Sequence, residues 1–223
     1  GEMGLKACFA VLHFSGGNLL DKDYEIMSPV DDIATAVSSL IKQYYLSRGI
    51  NVFFPDHIAS GESDGTHCSF GYYEREDCMK WLEYMTSHFG KDIKIILHGV
   101  SMGSATVCMM SGRDDLPENV KYTVADCGFT TAKALFKFKM DALKIPDVGL
   151  LSGVNLANKL NHGFDFRDIA PVESVAKAKV PMFFVHAESD TTCKVISSHA
   201  YYGARERLGA KNDKIQIFDD AYM

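Results

Sequence analysis

Six short apolar runs punctuate the chain, and most are far enough apart for a helix to lie between them. They are Lys6–Phe14 (KACFAVLHF), Ile50–Asp56 (INVFFPD), Asp92–Leu97 (DIKIIL), Val120–Ala125 (VKYTVA), Val180–His186 (VPMFFVH) and Lys214–Phe218 (KIQIF). Their centres are nearly continuous in Val, Ile, Phe and Ala, the pattern of strands covered on both faces. Between them lie amphipathic stretches. Asp31–Ser47 opens with acids and stops before Arg48-Gly49, and Tyr72–Phe89 sets Cys78, Trp81, Leu82 and Met85 on one face. Strand, helix and strand repeated in this way predict right-handed parallel crossovers and an α/β, doubly wound, mostly parallel sheet.

Size and charge narrow the partners. A chain of 223 residues suits a single domain with a sizeable core. It carries 23 Lys and Arg against 29 Asp and Glu, a net charge of −6, with no basic block. Nucleic acid is therefore not an expected partner, because phosphate binding needs clustered cations. No apolar run approaches the ~20 residues of a membrane span, so no membrane partner is expected either. Residues Gly1 to Phe14 lack the basic region and small-residue cleavage site of a secretory leader. The six cysteines, Cys8, Cys68, Cys78, Cys108, Cys127 and Cys193, are scattered and form no CxxC pair. A reducing, cytoplasmic setting fits them, a zinc site is not expected, and the loop-placed Cys68 is the one cysteine suited to a disulfide.

One segment breaks the rhythm. Phe129–Lys179 is longer than a crossover requires. It holds a helical piece at Ala132–Leu143, then Pro146, Gly149 and Gly153, then a second piece at Val154–Leu160. It is expected to form a helical cap at the carboxyl edge of the sheet, where such folds bind ligands. Phe129, Leu135, Phe136, Phe138, Met140 and Leu143 either pack this cap onto the sheet or line an apolar pocket.

The chemistry concentrates in Ile93–Gly112 (IKIILHGVSMGSATVCMMSG). A buried strand runs into Gly99-Val100-Ser101-Met102-Gly103, and an apolar helix over Ser104–Met110 follows. In this strand–turn–helix setting G-x-S-x-G marks a sharp, strained turn. Its glycines make room for the bend, and Ser101 is lifted clear beside a helix N-terminus. A dinucleotide fingerprint fits less well, because Ser101 stands where the middle glycine would be.

A serine hydroxyl needs a base, and the base needs an orienting acid. Asp190, in the loop after Val180–His186, falls on the same edge as Ser101; Asp126 is a rival acid and Glu188 a weaker one. The histidines are His13, His57, His67, His88, His98, His162, His186 and His199, and none follows Lys214–Phe218. His98 and His186 end strands and read as packed residues, and His88 as a surface residue. His57 and His67 flank the loop after the second run and could face the cleft.

These residues resemble the α/β-hydrolase superfamily, most closely bacterial serine hydrolases of the esterase and serine-aminopeptidase-like type. The likeness rests on Phe9–Gly17 (FAVLHFSGG), Asn51–Gly65, Ile96–Val107 (ILHGVSMGSATV), Val124–Thr131 (VADCGFTT) and Pro181–Asp190 (PMFFVHAESD). It implies Ser101 as nucleophile, Asp190 as acid, and an oxyanion hole from the N–H of Met102 and a second N–H at Phe14 or Ser15. Cleavage of a carboxylic ester or amide through an acyl-enzyme follows, without cofactor. The chain departs from the family pattern in three places. The first exit loop reads His13-Phe14-Ser15-Gly16-Gly17, the second reads Ile58-Ala59-Ser60-Gly61-Glu62-Ser63, and the triad histidine expected after the last strand is missing. The resemblance also implies leading strands and a closing helix, so the chain reads as a fragment of a longer hydrolase. A non-catalytic α/β-hydrolase-like binding protein is the alternative. An unpaired last strand would leave an edge open to association, which makes a homo-oligomer the protein partner to expect.

Overall fold

A computed structural model describes residues 8–13 (backbone only), 39–60 and 63–219. The strands are β1 Cys8–His13, β2 Asn51–Phe53, β3 Lys94–Val100, β4 Val120–Asp126, β5 Met182–Ala187 and β6 Lys214–Phe218. They form one sheet in the order β2-β1-β3-β4-β5-β6, every neighbouring pair parallel. Each of the six apolar runs contributes a strand, so the doubly wound reading holds. The strands are shorter than the runs where a proline or a charged flank leaves the ladder, as at Pro55-Asp56.

The helices are α1 (of which residues 39–46 are described), α2 Glu74–Phe89, α3 Met102–Ser111, α4 Ala132–Ala142, α5 Leu150–His162, α6 Pro171–Lys177 and α7 Ile196–Arg207. A single 3-10 turn, Phe166–Asp168, precedes α6. Among the described residues no helix is long and apolar enough to cross a membrane. Helix α3 is buried on nearly every side, as a helix apolar all round must be. Its Val107 and Met110 join Cys78, Leu82 and Met85 of α2 against Ile95 and Leu97 of β3. Its Cys108 joins Met182 and Phe184 of β5 and Tyr201 of α7. Its Ala105 and Met109 meet Phe129, Leu151, Phe164 and Phe166 of the long 129–179 segment.

Several expectations need correction. Helix α2 starts at Glu74, not Tyr72. Its own first carboxylate is buried and accepts the N–H groups of Ser69 (2.7 Å) and Gly71 (2.9 Å) and the Ser69 hydroxyl, so residues 69–73 form a turn instead. Trp81 does not share the fully buried face of Cys78, Leu82 and Met85; it is half-buried against Phe53. Helix α5 runs a turn earlier and two residues later than Val154–Leu160, from the left-handed Gly149 to the left-handed Gly163. Helices α6 and α7 carried no apolar periodicity in the sequence and were not anticipated. Strand β6 is not covered on both faces: its residues alternate exposed and half-buried, and Phe218 faces solvent.

Candidate active site

The carboxyl ends of β3, β4 and β5 form one continuous rim. Backbone bonds carry the sheet past the last strand residues: the Ser101 N–H donates to the Asp126 carbonyl (2.9 Å), the Cys127 N–H to Val185 (2.9 Å), and the Glu188 N–H to Phe218 (2.8 Å). The loops bearing Ser101, Asp126 and Asp190 are thereby fixed side by side.

Ser101 stands at the tip of a strained turn. Its φ of 54° and ψ of −115° lie outside the regions an L-residue favours. The bend brings β3 and α3 so close that a Cβ on Gly99 would sit 2.1 Å from the Gly103 carbonyl oxygen. Glycine is therefore dictated at position 99, and the motif's spacing follows from one contact. Ser101 is half-buried, whereas the nine residues after Met102 are buried. Met102 opens α3, where first-turn N–H groups have no acceptor within the helix. Phe14 and Ser15, the alternatives for the second oxyanion donor, lie outside the described residues.

Asp190 is held from both sides. Its Oδ1 accepts the N–H groups of Thr192 (2.6 Å) and Cys193 (2.9 Å), which curl the loop back toward the strand end. Its Oδ2 lies 3.3 Å from His186 Nε2, and both side chains are buried. Burial works against the ionised carboxyl, but the hydrogen bonds from His186 and the two N–H groups outweigh it, and the pKa is lowered. His186 is opposed by burial as well; its bonds to Asp190 and to the Cys193 carbonyl prevail, and its pKa is raised. Nδ1 of the same ring meets Ser198 Oγ at 2.8 Å and Nε2 meets the Cys193 carbonyl at 2.9 Å. His186 is thus a packed residue, as its strand-end position suggested, and also the anchor of Asp190, which sequence spacing did not reveal.

Asp126 is half-buried on the same rim. Burial pushes its carboxyl up to about 6, against the pull of His186 and the Cys127 side chain; Asp190 adds to the rise. Glu188 is exposed. Beside Asp190 opens a hollow of about 480 Å³, lined by Phe138 and Ala142 of α4 and by Glu188, Lys194 and Ile196. The Lys194 ammonium lies 4.5 Å from the Phe138 ring centroid. Phe136, by contrast, packs on Phe70 and Phe166, and Leu143 is 70% exposed, so neither faces that hollow.

Of the imidazoles whose side chains are described, the structure brings none to hydrogen-bond with Ser101. His98 is buried, bonded to the Tyr45 hydroxyl at 3.0 Å, and burial lowers its pKa to about 4. His57 is buried near Glu74, Asp77 and Asp56. His67 stacks on His162 with ring centroids 4.1 Å apart, His88 stacks on Tyr84, and His199 is exposed. Among the described residues none hydrogen-bonds Ser101. Cys68 is exposed with a free thiol. The described residues contain no cluster of three or more His, Cys, Asp or Glu suited to a metal ion.

Comparison with known proteins places this architecture. YqkD of Bacillus subtilis (strain 168), itself uncharacterised, is 30% identical over 162 residues, which cover 71% of this chain and 52% of that protein. The chain thus spans about half the length of this curated relative. The Pyrococcus furiosus esterase Pf2001 superposes with a TM-score of 0.69 at 18% identity, covering 97% of this chain and 75% of the esterase. The Pyrococcus horikoshii acylaminoacyl peptidase gives 0.64 at 17% identity, covering 99% of this chain and 34% of the peptidase. At such identities the likeness is one of fold. A family model described as alpha/beta hydrolase fold matches residues 38–169, more than half of the sequence. Sequence match and parallel-sheet architecture agree, and the chain belongs to the alpha/beta hydrolase fold family.

Proposed function

We propose that this chain carries the nucleophile and acid of a serine hydrolase that cleaves carboxylic esters or amides through an acyl-enzyme on Ser101. The observation that supports this most is the elbow itself: a half-buried serine at φ 54° on a turn tight enough to demand Gly99. Such strain persists at a serine because it presents the hydroxyl for attack. The Ser101 oxygen adds to the substrate carbonyl. The Met102 N–H, with a second donor at Phe14 or Ser15, receives the developing negative charge, each donor contributing ~3–4 kcal/mol. The imidazole that completes the triad would take the Ser101 proton and pass it to the departing alcohol or amine as the intermediate collapses; water, deprotonated the same way, then releases the acid.

Asp190 is the acid of this reading and Asp126 the weaker candidate, because the surroundings of Asp190 favour its ionised form and those of Asp126 its protonated one. Strands β3 and β5 are separated by β4 alone. The usual strand spacing then sets Ser101 and the base of the Asp190 loop about 10 Å apart, enough to seat one imidazole between them. In the family's order that imidazole comes from sequence beyond β6. The 129–179 segment acts as the cap, with Phe138 and Ala142 closing one side of the hollow.

A fluorophosphonate probe tests the reading. Labelling of Ser101 that vanishes in Ser101→Ala, with the thermal midpoint unchanged, supports it. A folded chain that takes up no label, alone or within the full gene product, favours the binding-protein alternative.

A further inference from the structure

Helix α5 is amphipathic in the reverse sense. At 3.6 residues per turn, Leu156, Leu160, Gly153, Ala157, Leu150 and Val154 share one arc of about 160°, in which Asn161 is the one polar side chain. That arc faces outward: Leu150 is 48% exposed, Val154 47%, Leu156 59% and Leu160 77%. The inward face is largely polar. Asn155 donates to Asp165 Oδ1 (3.1 Å) and accepts the Phe166 N–H (2.7 Å), and Asn158 donates to the Phe164 carbonyl (2.6 Å). Leu151 alone enters the core. The loop before α5 extends the apolar surface with Leu143 at 70% and Val148 at 88% exposed. Seven of the fifteen large hydrophobics exposed among the described residues fall between 143 and 160. A run of this kind marks a contact surface. Gly153 sharpens the point, since a Cβ there would meet nothing within 4 Å, and no contact among the described residues calls for a glycine.

The charges indicate what covers the arc. Residues 132–162 hold five lysines against Asp141 and Asp147, a surplus of +3 in a chain of net −6. Lys144 and Lys159 are exposed, one in the loop and one about 60° beyond Leu156 on the helix, where its ammonium lies 3.9 Å from Asp165 Oδ2. A second copy meeting this face would set two cationic surfaces together. The face also lacks Trp, Tyr and Arg, the side chains that anchor protein contacts. Aliphatic side chains accompanied by lysines suit a helix lying in a lipid interface.

We propose that α5 and the loop before it form a docking face for an anionic lipid surface. This is contact in the plane of the interface, distinct from a membrane-spanning helix, none of which occurs among the described residues. The inference does not depend on Ser101, because its readout is binding.

The experiment is flotation of the chain with vesicles of phosphatidylcholine and phosphatidylglycerol in equal parts, and with pure phosphatidylcholine. We expect the chain to rise with the anionic vesicles and to be released by salt. Leu156→Ser with Leu160→Ser should weaken partitioning by on the order of tenfold. Lys144→Gln and Lys159→Gln should each weaken it about fivefold. All variants should keep the parent circular dichroism and thermal midpoint, since the altered side chains lie outside the core. Failure to float with either vesicle overturns the proposal, whether the chain is then a monomer or a dimer that Leu156→Ser disperses. Equal binding to both compositions, indifferent to the lysine variants, overturns the anionic preference.

Discussion

Two carboxyls on one rim, given opposite surroundings, acquire opposite pKa shifts. Asp190 receives two backbone N–H groups and an imidazole and stays ionised; Asp126, largely desolvated near it, is raised to about 6. The sign of the consequence follows from linkage. The folded pKa of Asp126 lies above its unfolded value near 3.9, so the folded state holds the extra proton between roughly pH 4 and 6. Its contribution to stability is therefore greatest below pH 4, falls as pH rises through that window, and is a net cost at neutral pH. Asp126→Asn removes the titration. We expect the variant to have a higher thermal midpoint than the parent at pH 8, and the difference to shrink or vanish at pH 4. Midpoints measured from pH 4 to 8 check this; parallel curves across the range would show that Asp126 does not titrate there. Sequence showed Asp126 as a rival acid but not this contrast, because protonation depends on which N–H groups and imidazole the loop brings within reach.

At the scale of elements, what was legible had an apolar signature. All six strands announced themselves by short Val, Ile and Phe runs, and the elbow by its glycines between a strand and a helix. Helix α7 escaped because its buried positions are Ser197, Ser198, Tyr201, Ala204 and Arg205, a face made inward by hydrogen bonds. Tyr201 donates to the Phe129 carbonyl, and Arg205 to backbone carbonyls and Asp213. Helix α6 did carry a start signal, proline at its first position, but at seven residues it is too short for periodicity to register. The pairing of His186 with Asp190 was hidden for another reason: they stand four positions apart, and only the curled loop makes them neighbours. Two glycines offer a contrast that sequence alone could not draw. At Gly99 an added methyl meets backbone atoms of Gly103 at 2.1 and 2.3 Å, which cannot yield without parting β3 from α3. Gly99→Ala should cost more than ~3 kcal/mol, whereas Gly153→Ala, in open space within a helix, should stabilise by about 1 kcal/mol. Urea unfolding of both variants is the check, and similar midpoints would contradict the elbow geometry.

Across the whole molecule, the two edges of the sheet are held by different means. The carboxyl rim, with Ser101 and Asp190, is joined by backbone bonds, and its Asp190 and Glu188 line a hollow. The amino edge of β5 and β6 is tied by a buried ion pair. Arg205 donates from Nε to Asp213 at 2.7 Å, from one terminal nitrogen to the Ala178 carbonyl, and from the other to Val180 at 2.9 Å and Asp213 at 3.1 Å. Asp213 also accepts the Met182 N–H at 2.9 Å. Both charged side chains are nearly enclosed, 6% and 4% exposed, and together they join α7, the approach to β5 and the turn into β6. Among the described residues strand β6 has one strand neighbour and one poorly covered face, so this tie carries much of its attachment there. Removing one partner strands the other charge in a low-dielectric setting: Arg205→Met should destabilise by about 3–5 kcal/mol. Replacing both, as Arg205→Met with Asp213→Leu, should recover a good part of that loss, because no buried charge is then left alone. The pair also lies at the end of the strands opposite the elbow. At temperatures where Arg205→Met remains folded, Ser101 should therefore take up a fluorophosphonate label as fast as in the parent. A double-mutant cycle in urea, with labelling rates measured alongside, tests both halves. Slow labelling in a folded Arg205→Met variant would mean that the two edges are coupled through β5, and that the rim owes its geometry to the far side of the sheet.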